Sequence, residues 1–208
     1  MLMARKAFAF IHVNVIPMDE ERVLSDQTVI IENARIREIG DAAHVIVPDG
    51  AIKIDASDQY MIPAFADMHV HLEGSAWNMM VAAGSQFTGT DSEFSQILFP
   101  YLANGVTTVQ VMSAFPEHIT LRDRINRGEF VGPRLILNRM IDGSGKAWPP
   151  PICSWVDSAA EAYQSVEDAN LIGYDGMKVY SFLNQECYDA IMTKASTRWR
   201  KSFSYLNL

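Results

Sequence analysis

The chain holds 208 residues, with 17 lysines and arginines against 25 aspartates and glutamates, a formal net charge of −8. Hydrophobic residues make up 49% and charged residues 20%, a globular composition that excludes a disordered chain. Nucleic acid and anionic membrane surfaces are poor partners for it, since both demand clustered Lys and Arg. The length falls short of a (β/α)₈ barrel of about 250 residues plus a second domain.

The N-terminal stretch carries Arg5 and Lys6 before an apolar run, but His12 and Asn14 interrupt that run. A strand fits it better than a signal peptide. No apolar run reaches the ~18 residues of a membrane span, and the expected location is the cytoplasm. Cys153 and Cys187 show no CxxC spacing and read as reduced thiols.

Segments 8–16, 28–32, 35–39 and 52–55 are short and rich in Val and Ile. Turn residues separate them: Pro17 with Asp19, Asn33, Gly40, then Pro48-Asp49-Gly50. Such spacing predicts hairpins and an antiparallel unit over residues 1–62, part of a small β-sandwich. At Pro63 the rhythm changes. Strands are predicted at 64–72, 106–112, 133–141 and 176–181, and helices at 92–104, 118–127, 157–171 and 184–195. Phe94, Ile97, Leu98 and Tyr101 mark one apolar face of the first helix; Gly105, Gly128 and Gly173 stop the first three. Strand and helix alternate four times, which predicts βαβ units and a parallel sheet over residues 63–208.

Asp67-Met68-His69-Val70-His71 carries the densest chemistry. On a strand, residues two apart share a face, so Asp67, His69 and His71 face one way. Two imidazoles at this spacing can clamp a metal ion, with Asp67 orienting one of them. Two histidines making ordinary hydrogen bonds at a strand end are the competing reading. The end of the first strand in a βα series is where such folds carry active sites, and a glycine-containing loop, 73–75, follows. Lys178 sits within an apolar strand, GMKVY. Either it snorkels outward, or its site neutralises it; an unprotonated amine can take up carbon dioxide as a carbamate. Tyr180 shares the face of Lys178 and either touches substrate or packs. The loop 142–157, with Trp148 and three consecutive prolines, is a substrate lid or a structural connection. His118 opens a helix and reads as a surface residue. His12 and His44 read as residues without a site role. The GSGK around Lys146 lacks the spacing of a phosphate loop.

The ordered set IPAFADMHVHL, ANGVTTVQVM, GPRLILNRMIDG and GYDGMKVY resembles the metal-dependent amidohydrolase family, in its imidazolonepropionase-like and prolidase-like branch. The likeness runs from the β-rich lead-in to about Ala195. It implies an α/β fold: a TIM-type barrel, here about four βα units, preceded by part of a β-sandwich. It implies His69, His71 and Lys178 as metal ligands, the lysine as a carbamate made with carbon dioxide. It implies one or two divalent ions, commonly zinc, and hydrolysis of a carbon–nitrogen bond by a metal-activated water. The expected partner is a small-molecule substrate, with room for a homo-oligomer.

Two departures stand out. Ala64 replaces the glycine usual after the proline. No histidine follows His118, whereas the family adds histidines on strands five and six and a general-base aspartate on strand eight. Residues 196–208 turn abruptly basic and aromatic, an off-pattern tail that a truncated or frameshifted coding sequence explains, a mobile tail being the alternative. Two expectations result: a hydrolase, or a catalytically inactive fragment that keeps partial metal binding. A β-rich binding module with an unrelated α/β appendage would ignore the ordered motifs.

Overall fold

The structure, a computed structural model, describes residues 7–72, 89–146 and 148–199. The predicted loop at 73–75 and the end of the basic tail lie outside the described residues. Chain contacts divide the protein into two compact units, Met1–Ala64 and Phe65–Leu208.

The first unit is one five-stranded sheet of β1 (Phe8–Val15), β2 (Leu24–Glu32), β3 (Arg35–Asp41), β4 (Ile52–Asp55) and β5 (Tyr60–Met61). Asn33 and Ala34 both have positive φ, 55° and 58°, the signature of the two-residue turn that matches hairpin twist. They join β2 to β3 as an antiparallel pair. The purely antiparallel expectation is corrected: β4 and β5 pair parallel to β1. The hairpin β2–β3 lies between β1 and β4 in sequence, and it supplies the long crossover that parallel pairing needs. Val13, Val15, Val29 and Ala56 form this unit's own core.

The second unit alternates β6 (Phe65–Val70), α1 (Asp91–Ala103), β7 (Val106–Val111), α2 (Pro116–Asn126), β8 (Arg134–Asp142), β9 (Cys153–Trp155), α3 (Ala159–Ile172), β10 (Gly176–Val179) and α4 (Gln185–Arg198). The strands run parallel in the order β10-β8-β7-β6, with β9 added beside β8. Thr90 and Ser158 begin α1 and α3 with capping boxes to Glu93 and Glu161, and the Asn184 side chain accepts the N–H of Cys187 at the start of α4. Each cap satisfies donors that a helix start leaves without partners.

The sheet has two different faces. Val109 and Val111 of β7, with Leu135, Leu137 and Ile141 of β8, pack with Leu98, Leu121, Val166 and Ile191 of the helices. The opposite face carries Gln110, Asn138, Met140 and Lys178, all buried. Asn138 Nδ2 donates to the Val111 carbonyl at 3.1 Å. A Cβ on Gly176 would lie 2.6 Å from Asn138 Oδ1, so any side chain there would have to displace the buried Asn138 amide.

Several expectations change. His118 is not on the surface: it is fully buried, and its Nδ1 accepts the N–H of Phe115 at 3.1 Å. Its ring packs edge-on to Phe94 at 6.2 Å. The loop 142–157 contains β9, which begins two residues after the Pro149-Pro150-Pro151 run. Helix α4 runs through Arg198, so the tail's first three residues continue it. Arg198 pairs with Glu167 of α3 at 2.6 Å, and Trp199 Nε1 donates to the Tyr174 carbonyl at 3.1 Å. No described helix is long and apolar enough to cross a membrane.

Candidate metal and substrate site

The C-terminal ends of β6, β7, β8 and β10 gather the chemistry. His69 and His71 have ring centroids 5.4 Å apart, tilted by 53°. Both are exposed while Val70 between them is buried, as strand alternation requires. Beyond the end of β6, Met112 N–H donates to the Val70 carbonyl at 2.9 Å, which ties the histidines to the neighbouring strand.

Asp67 departs from the sequence expectation. Between Asp67 and Val70 the chain advances three residues while β7 advances two, from Val109 to Val111. This bulge breaks the alternation. The Asp67 carboxylate accepts the His69 backbone N–H at 3.1 Å and reaches no imidazole.

The partner of an imidazole is instead Ser113, which sequence reading missed. Its Oγ lies 2.8 Å from His71 Nδ1, and the serine is 6% exposed. No motif announces it, because the contact spans 42 residues and depends on register between β6 and β7.

Lys178 is 5% exposed, and among the described residues it has no hydrogen-bond or ion-pair partner. Burial holds its ammonium below the usual lysine value. Partial burial of its ring also lowers the basicity of His71, and the charges of His69 and then Lys178 lower it further. The Lys178 contribution sets its amine within electrostatic reach of the His71 imidazole. Among the described residues, no three His, Cys, Asp or Glu side chains converge to hold a metal. The donors near one another are the paired imidazoles of His69 and His71, 5.4 Å between ring centroids.

Beside them lies a cavity of about 330 Å³, lined by His71, Leu72, Ser113, Phe115, Met140, Trp148, Ile152 and Tyr180. Tyr180 and Trp148 thus meet at one cavity, with His71 on its wall. Trp148 sits in a loop that is pinned: Trp155 Nε1 donates to the Trp148 carbonyl at 2.7 Å.

No protein-family model matches the chain. A stretch of 47 residues is 43% identical to adenine deaminase of Moorella thermoacetica, covering 23% of this chain and 8% of the deaminase. A solved amidohydrolase superposes with a TM-score of 0.76 at 20% identity, over 93% of this chain and 54% of its own. A Xaa-Pro dipeptidase with methionine in its active site gives 0.74 at 22% identity, over 92% of this chain and 54% of its own. The chain shares the fold of the matching part of these two structures, and it spans about half of their length.

Proposed function

We propose that the chain carries part of the metal site of a hydrolase that cleaves carbon–nitrogen bonds. The observation that carries this reading is the pairing of His69 and His71 with ring centroids 5.4 Å apart, together with a buried Lys178 that has no partner among the described residues and lowers the basicity of His71. The fold's likeness to an amidohydrolase and a dipeptidase supports it, as does the partial sequence match to a deaminase.

The donor set fits a divalent ion of the zinc type. Imidazole nitrogen suits borderline-soft cations, and a buried amine of lowered basicity suits conversion to a carbamate. In that conversion the neutral Lys178 nitrogen would bond to the carbon of carbon dioxide and lose one proton, giving an anion with two oxygens able to ligate a metal. The cost of burying an unpaired ammonium is then replaced by a paired, ligating anion.

The protein's own groups have distinct tasks in this reading. Ser113 occupies His71 Nδ1 and leaves the other ring nitrogen for the metal. His69 supplies the second imidazole from the same strand face. Tyr180 and Trp148 bound the space where a substrate lies. When bound, a divalent ion supplies an acidified water and polarises the carbonyl. Turnover would also require the general-base aspartate that the family carries on strand eight; the residues described here bear on metal and ligand binding.

The test is calorimetric titration of the metal-stripped chain with zinc, with and without bicarbonate. The reading expects saturable binding that bicarbonate strengthens and that His69→Ala weakens. Binding indifferent to His69 overturns it. Assay of dipeptide and cyclic amide substrates with zinc then asks whether this chain turns over by itself.

A further inference from the structure

We propose that the cavity beside His71 receives an uncharged apolar group of the substrate, an aromatic or branched aliphatic side chain flanking the scissile amide. This rests on the metal-site reading above and adds the substrate's chemical class.

The described walls carry no charged side chain. Leu72, Phe115, Met140, Trp148 and Ile152 supply the apolar surface, and Tyr180 adds a ring. Ser113 is the neutral polar group, and its Oγ is already occupied by His71. A charged substituent entering here would lose its hydration with no counter-charge to replace it. A volume of about 330 Å³ lies at the small end of ligand pockets, enough for one side group and too little for an extended peptide.

Nearby charge is turned elsewhere. Arg139 neighbours Met140 in β8 but projects from the other face. There it donates to Ser154 Oγ at 3.0 Å, to the Pro151 carbonyl at 2.6 Å and to the Ile152 carbonyl at 3.3 Å. These bonds fix the segment that presents Ile152 to the cavity, just as Trp155 fixes Trp148. Phe115, Met140, Ile152 and Cys153 pack as a separate small core with Tyr180 against it. The apolar walls are therefore pre-formed, which lowers the ordering penalty of binding.

The probes are N-acetyl-L-phenylalaninamide, N-acetyl-L-lysinamide and N-acetyl-L-aspartamide, titrated by ligand-observed NMR onto the 208-residue chain. Each is measured with and without zinc. The proposal expects the phenylalanine probe to bind about tenfold or more tightly than either charged probe. Trp148→Ala should weaken it about fivefold or more, through lost stacking surface. Trp148→Lys, at a half-exposed position, should shift the preference toward the aspartate probe. Equal or tighter binding of a charged probe to the unaltered chain overturns the proposal, as does phenylalanine binding indifferent to both Trp148 variants. The two readings separate cleanly. Trp148-dependent apolar preference without zinc uptake sinks the metal site and keeps the pocket, whereas zinc uptake without apolar preference does the reverse.

Discussion

Ser113 Oγ stands 2.8 Å from Nδ1 of His71. This single contact fixes which imidazole nitrogen remains available and holds the ring at the end of β6. Ser113→Ala should therefore weaken zinc binding about tenfold or more, within the range for groups that orient metal-bound histidines. Chelator competition measures it. Far-UV circular dichroism should be unchanged, because a serine-to-alanine change at this site leaves the backbone ladder intact.

Gly143 follows the end of β8, and a Cβ there would lie 2.5 Å from the Phe182 carbonyl oxygen. Asp142 beside it accepts the Phe182 N–H at 2.7 Å. The turn after β8 is thus clamped to the loop after β10, the loop that begins with Tyr180. Gly143→Ala should destabilise by about 1–3 kcal/mol, since backbone must move to relieve the overlap. Urea unfolding should show a lower midpoint at constant slope.

His118 combines a cap with a core position. Its ring is fully buried against Phe94 and Phe115, and its Nδ1 takes the Phe115 N–H. His118→Ala removes both, and a loss of about 2–4 kcal/mol is expected from cavity and cap together. His118→Asn restores an acceptor at that height in the helix and should recover part of it. Thermal unfolding of the two variants checks the difference.

Cys153 sets a pH dependence. Burial, reinforced by the Asp142 charge, pushes its thiol up to about 12 from the usual value near 9. Between those values the folded protein keeps a proton that the unfolded chain releases, so stability falls as pH rises. Its contribution is fully present below about pH 9 and lost through about pH 12. Cys153→Ala should flatten that decline in urea titrations between pH 8.5 and pH 11, a range chosen to bracket the ~9 reference value of a free thiol. Iodoacetamide should leave the native thiol unmodified at neutral pH, because the thiolate is the nucleophile.

The sequence carried the architecture where local rules sufficed. Val and Ile runs, and Gly105, Gly128 and Gly173 as stops, express preferences felt within a few residues. The strand–helix alternation of the second unit therefore stood in plain view, as did the pairing of His69 with His71. What stayed hidden depends on distant register. The parallel partners of β1 lie across an entire hairpin. The three residues of β9 are too few to show a period, and the bulge that diverts Asp67 is set by β7. His118 read as a surface residue because a single polar position does not reveal that Phe94 and Phe115 enclose it. Ser113 was unreadable for the same reason: only the folded sheet brings it to His71.

The central claim is that His69, His71 and Lys178 act together on one metal ion. Zinc titration of the unaltered chain, His69→Ala/His71→Ala and Lys178→Met, each with and without bicarbonate, tests it most directly. The account predicts that the double histidine variant loses zinc binding, while Lys178→Met keeps weak binding that bicarbonate no longer strengthens. Zinc affinity unchanged in the double variant, or a bicarbonate effect that survives Lys178→Met, would contradict it.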